Sequence, residues 1–308
     1  MDVNLNKLHA LVSLLDDENQ EIVQQIEGEL LAMGQAVLPI LEDSFLQVEN
    51  AEHKDRLEAV IEKIKIAKIK NNLADWLKGE QDDLLKAWCF ISELSGVYPD
   101  YQKIRNTLDK VKLEVWLGMH NDQSSVEKIS LLNYIFFTKM GFNGDHENYL
   151  SPANSYVHEV VNRKKGNPIS LSVLYMLIAQ SLKLPVYGIN LPQHFVLAYL
   201  PLAIEQIDEL GVEELKQGKD IVMPVDFNND PIFYINVYNK GSIFSKNHLT
   251  GFLRELKLQP KSEYYKVCSS KEIILRILRN LQTAFAKVNN VNGIHQVDEL
   301  LALFVEHV

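Results

Sequence analysis

The stretch NSYVHEVVNRKKGNPISLSVLYMLIAQSLKLPVYGINLPQHFVLAY, from Asn154 to Tyr199, decides the fold. It opens on a short helix, SYVHEVVNRKKG, whose basic residues and Gly166 suit a helix C-terminus. Asn167 can then serve as N-cap and Pro168 as the first helical residue, where a missing N–H costs nothing. From Pro168 to Leu184 apolar residues fall on every side of the helix: Ile169, Leu171, Val173, Leu174, Met176, Leu177 and Ile178. A helix with no polar face belongs at the centre of a domain. After Pro185 the period drops to two. VYGINLP leads into QHFVLAYL, where His194, Val196 and Ala198 alternate with Phe195, Leu197 and Tyr199.

Upstream, the turn-rich segment GFNGDHENYLSPANS, Gly141 to Ser155, marks a domain boundary. Asn154 and Ser155 after Pro152 suit a helix cap. Between Asn4 and about Gly141 apolar residues recur at helical spacing, as in Ile22, Val23, Ile26, Leu30 and again in Leu57, Val60, Ile61, Ile64. Polar breaks divide this half into roughly six or seven helices with short connections. LLDDENQEIVQQIEGELLAMGQAVLPILED has the look of a HEAT-type helix pair. Downstream, PLAIEQIDELGVEELKQGKD (201–220) carries six acidic and two basic residues and suits an exposed helical excursion. Two strand candidates follow, IVMPVDF and PIFYINVY, then a helix near Ser245 to Leu256. A pair of helices, Lys271 to Val288 and Gln296 to Val308, comes last. The expected class is α+β: a helical HEAT-like domain over 1–141, a second domain over 142–260 with a buried central helix and a small antiparallel sheet, and a helical pair over 261–308.

Composition narrows the function. The chain has 308 residues, 46% hydrophobic and 23% charged, so it can bury a large core without metal or disulfide. Its net charge of −10 argues against nucleic acid or an anionic membrane as the main partner. Cys89 and Cys268 are the only cysteines, and no Cys/His metal spacing occurs, so neither a metal nor a cofactor is expected. The acidic Asp2 does not fit a secretory leader and no apolar run reaches membrane-spanning length, which points to the cytoplasm. Lys63, Lys65, Lys68 and Lys70 have acidic neighbours and suit a solvated helix surface. Trp76 and Trp88 suit core positions.

A central helix opening with G-x-x, followed by a His-bearing strand and an Asn-bearing one, resembles the transglutaminase-like, papain-type core. The runs RKKGNPISLSVLY, LPQHFVLAY, FYINVYNKG and LRILRNLQTAF resemble the SirB-type branch of that superfamily in particular. The resemblance implies a Cys at the tip of the buried helix, where the dipole favours a thiolate, a His to take its proton and a third group to orient the His. Carried over position by position, the Cys falls on Pro168, the His on His194 and the Asp on Asn236. Pro168 has no nucleophilic atom. Ser170 lies about 200° around the helix from it, and Ser172 sits a full turn inside among apolar neighbours. Cys89, between Trp88 and Phe90, suits a buried hydrophobe, whereas Cys268 suits an exposed position far from the motif.

The expectation is therefore a degenerate transglutaminase-like protein that binds a protein or peptide, in a groove whose candidates are His194, Asn236, Asn167, Gln193 and Asp226. Asp226, in the turn-rich DFNNDP, is an alternative partner for His194. His146 and His158 suit loop or surface positions, and Arg163, Lys164 and Lys165 the end of a helix. The alternative is a hydrolase or acyl-transfer enzyme of this superfamily that uses His194 with an unidentified nucleophile. A further option gives the function to the N-terminal helices alone.

Overall fold

The computed structural model describes residues 5–79, 83–201, 229–259 and 261–306. These group into two compact units, one of residues up to Gly79, the other running from Asp83 to Phe304. The segment 201–220 (apart from Pro201), the strand candidate IVMPVDF and Asp226 lie outside the described residues.

The first unit is built from α1 (Leu5–Leu14), α2 (Gln20–Met33), α3 (Leu38–Gln47) and α4 (Ala51–Lys78). Asn19 caps α2 by accepting the Glu21 N–H at 3.0 Å, and Asn50 caps α4 through Glu52 and His53. Leu8, Leu15, Leu30, Leu41, Leu57 and Val60 make its core, at the helical spacing read from the sequence. Lys63 donates to Glu27 at 2.9 Å and Lys65 pairs with Glu42 at 2.6 Å, so these lysines belong to an ion-paired surface.

The second unit begins with α5 (Leu84–Ser92), α6 (Tyr101–Gly118) and α7 (Ser125–Asn133). Seven α-helices thus precede Gly141 among the described residues, and α7 widens into a π-helix over Tyr134–Lys139. The division expected at residue 141 was drawn from composition. By packing, α5 and α6 join the residues that follow, because they rest on α8 (Val157–Arg163), and α6 also on α9 (Pro168–Ser181).

Helix α9 is the axis of this unit. Ile169, Leu171, Val173, Leu174, Tyr175 and Ile178 are all at most 1% exposed. Four antiparallel strands cover one side of it in the order β3 (Val186–Leu191), β4 (His194–Tyr199), β5 (Phe233–Asn236) and β6 (Ser242–Phe244). The β3–β4 hairpin turns on Pro192 and Gln193, with Gln193 in the left-handed region at φ 60°. Because strand side chains alternate, the sheet has two buried faces. Ile189, Leu191, Val196, Ala198 and Tyr234 pack with Leu249 and Leu253 of α10 (Lys246–Glu255). Phe195, Leu197, Phe233 and Ile235 fill the opposite face, the one covered by α9. A hydrogen-bonded link ties the turn between β5 and β6 to α9: Tyr175 donates to Asn133 Oδ1 at 2.8 Å, and Asn133 Nδ2 donates to Gly241 O at 2.9 Å. Gly241 has φ 70°, and any Cβ there would strike Asn133, so only glycine fits.

Two helix boundaries differ from the sequence reading. Helix α8 ends at Arg163, because Lys164 turns left-handed at φ 55° and Lys165–Gly166 then pair as β2 with β1 (Asn143–Gly144). The last helices are α11 (Ser270–Lys287) and α12 (Val291–Glu306), so α12 starts five residues before the expected Gln296. Val-Asn-Gly reads poorly as helix, yet Asn290 accepts the Gly293 N–H at 2.8 Å, and a Cβ on Gly293 would collide with the Phe285 ring. No described helix is long and apolar enough to cross a membrane.

If α9 is the axis, Leu174→Ala, a fully buried site, lowers the unfolding free energy by about 2–5 kcal/mol. Leu117→Ala, at 62% exposure in the same unit, stays within about 0.5 kcal/mol. Urea unfolding of the two variants checks this, and equal costs would displace α9 from the core.

Candidate functional site

The tip of α9 is closed by its own cap. Asn167 Oδ1 accepts the Ser170 N–H at 3.0 Å, and Ser170 Oγ accepts the Asn167 N–H at 2.9 Å, a reciprocal capping box. The same hydroxyl donates to Asn167 O at 3.1 Å, so its proton is spent as well. Gly166 is required here, since a Cβ would lie 2.5 Å from Ser170 Oγ. Pro168 is half-buried at the first helical position. Asn167 Nδ2 reaches Ser155 Oγ at 3.4 Å, and Ser155 O accepts from the buried Trp88 indole at 2.7 Å. The cavity beside this tip, lined by Tyr149, Ser155, Asn167, Asn280 and Thr283, measures about 40 Å³. That is room for roughly one or two waters.

The turn-rich segment before α8 is a fixed part of this wall. Asp145, 1% exposed, accepts the Asn148 N–H at 3.1 Å and pairs with Arg163 at 3.1 Å. Arg163 also donates to Asn154 Oδ1 at 2.9 Å, while Asn154 Nδ2 donates to Asn148 O and Tyr149 O. Asn154 is therefore a buried strut, and not a helix cap: Tyr156 holds the cap position of α8, with no side-chain bond. Tyr238 lies across Gly144, with its hydroxyl 3.4 Å from Asp145 O and the rings of His146 and Tyr149 beside it. Asp145, Arg163 and Tyr238 were missed as a group because each has an ordinary local explanation; only the fold joins them.

His194 stands elsewhere. It pairs with Leu191 and shares the side of β4 that Val196 and Ala198 turn to α10. Its ring meets Phe252 of α10 edge-on at 4.7 Å. Burial, and then the positive charge of Arg276, push its pKa below the ordinary imidazole value. Arg276 is itself pinned to the hairpin, donating to Asn190 Oδ1 at 3.1 Å and Leu191 O at 3.2 Å. Asn236 Oδ1 accepts the Asn239 N–H at 3.1 Å and so caps the turn after β5. No hydrogen bond joins His194 to Asn236. Gln193 is exposed at the hairpin tip, and Asn167 is buried in the cap. The candidates thus fall into separate places: Asn167 and Pro168 at the tip of α9, Gln193 and His194 at the hairpin, Asn236 in its turn.

Both thiols of the chain are buried. Burial, reinforced by Asp83 and Glu93, pushes Cys89 up to about 12. Cys268 is buried, contrary to the exposed position expected, because its N–H bonds Gly188 O at 2.9 Å and draws the chain against β3. Its pKa also rises to about 12, from burial and then Glu272. Ser172 is fully buried without a hydrogen-bond partner. His158 is buried too, and not on the surface: its ring lies parallel to Tyr156 at 6.0 Å, neither ring nitrogen is hydrogen-bonded, and burial lowers its pKa.

Residues 102–279, more than half of the chain, match the family model described as the transglutaminase-like superfamily. The chain belongs to the transglutaminase-like superfamily. It is 29% identical over 182 residues to a UPF0162 protein of Xylella fastidiosa (strain 9a5c), covering 54% of each protein. It is 37% identical over 70 residues to a UPF0162 protein of Pasteurella multocida, covering 23% of this chain and 26% of that one. It is also 29% identical over 99 residues to F-box only protein 21 of Mus musculus, covering 31% of this chain and 16% of that protein. The chain spans about half the length of the curated Xylella relatives it matches. No solved structure matches it. The transglutaminase-like match takes in the tip of α9, the hairpin with His194 and the turn with Asn236.

The buried His158 and the half-buried His194 make stability pH-dependent. Both have folded pKa values below the ordinary 6.5, so the folded state binds fewer protons than the unfolded one as the pH falls. Their contribution is intact above about 6.5 and is lost as the pH drops through the lowered folded values. Urea unfolding at about pH 7.5 and about pH 5 tests this: the parent loses stability at the lower pH and His158→Phe loses less of it. Equal losses would contradict the assignment to His158.

Proposed function

We propose that this is a SirB-type transglutaminase-like protein that performs no acyl transfer and acts by binding a protein or peptide, with α1–α4 forming a HEAT-like layer. The observation that carries the reading is the state of the α9 tip. Pro168 falls where the resemblance puts the family's sulfur, and the hydroxyl of Ser170 donates its proton to the cap and accepts the Asn167 N–H. A nucleophile must reach its base within hydrogen-bond distance and present itself to an open site. The cavity beside this tip, about 40 Å³, is far smaller than an ordinary small-molecule site. His194 is turned to Phe252 and next to a guanidinium, and among the described residues no hydrogen-bond partner orients it as a base. The RKKGNP and LPQHFVLAY motifs support the SirB-type assignment. The vestigial positions Pro168, His194 and Asn236 then act as scaffold, and the binding role falls to surfaces that the fold keeps rigid.

Incubation of the full chain with amine donors, glutamine-containing peptides and peptidase substrates is expected to give no turnover above the rate without protein. Turnover abolished by His194→Ala would overturn the proposal, since general-base help alone is worth typically 10²–10⁴-fold and would be plainly visible.

A further inference from the structure

A large hollow of the second unit lies away from the α9 tip. It is a cleft of about 860 Å³, within the range of small-molecule sites. Helices supply its apolar wall: Leu84 of α5, Met176 and Leu177 of α9, Ile273 of α11. The connector 262–270 supplies the polar wall, and three of its polar side chains are unspent. Among the described residues, the Lys266 ammonium and the hydroxyls of Ser262 and Ser270 make no ion pair or hydrogen bond. The acidic side chain on the rim, Asp230, is neutralised by Lys246 at 2.5 Å. In a chain of net charge −10, this leaves an unpaired cation beside an apolar floor.

We infer that this cleft binds a small amphipathic anion, its apolar body on the α9 and α11 wall and its anionic end at Lys266, Ser262 and Ser270. The floor gains from shedding water on contact with an alkyl chain. Lys266 gives the head group a point charge, and the two hydroxyls offer it hydrogen bonds. Nothing in the cleft overlaps Pro168, His194 or Asn236, so the site is independent of whether the α9 tip is catalytically silent.

Isothermal titration of the full chain with decanoate, decanol and decyltrimethylammonium tests the inference, with Lys266→Glu and Ser270→Asp as variants. Both substitutions lie at solvent-accessible positions, and Asp suits the first turn of a helix, so the fold is retained. The expected result is stoichiometric binding of decanoate, weaker binding of decanol and none of the cation, with about a tenfold loss for decanoate in each variant. No binding of decanoate, equal binding of all three probes, or decanoate binding unchanged in both variants would overturn it.

Discussion

The second unit depends on a helix that cannot be left facing water on any side. Leu171, Val173, Leu174 and Tyr175 are fully buried on successive faces of α9, so covering it requires the sheet on one side and α6, α8 and α11 on the others. A helix this deep must also satisfy its first N–H groups without solvent. The Asn167–Ser170 box does so, helped by the absent N–H of Pro168 and by Gly166, which lets Ser170 approach.

That solution conflicts with covalent chemistry. A helix tip that carries a nucleophile needs an exposed atom where the dipole favours negative charge. Here the same place is occupied by a ring without such an atom, and the polar groups around it bond to one another: Asn167 with Ser155, Ser155 with Trp88, Asp145 with Arg163, Arg163 with Asn154. Burial and closed hydrogen bonding strengthen the cap. The retained His194 has become part of the packing between β4 and α10.

Much of this was legible from periodicity. The switch from an all-apolar helix to alternating strands at Pro185 placed α9, β3 and β4 almost to the residue. Pro168, His194 and Asn236 were legible only as matches to a motif. Their mutual geometry was not, because a linear motif does not say which side of a strand its His takes, and α10, which claims the ring, lies more than fifty residues further on. The Asp145–Arg163–Asn154 strut stayed hidden for a related reason: turn formers and a basic helix end explain themselves locally, and their pairing exists only once β1 and β2 come together. The burial of Cys268 and His158 was equally a tertiary matter, decided by contacts with β3 and between α8 and its neighbours.

The central claim is that the imidazole of His194 does not face the tip of α9. Pro168→Cys places a thiol at that tip, while the native thiols, both held near 12 by burial, stay silent. The pH profile of its alkylation by iodoacetamide, measured with and without the additional His194→Ala, reads the distance chemically. The account predicts the same apparent thiol pKa in both backgrounds. A pKa that rises when His194 is removed would place the imidazole beside the sulfur and contradict it.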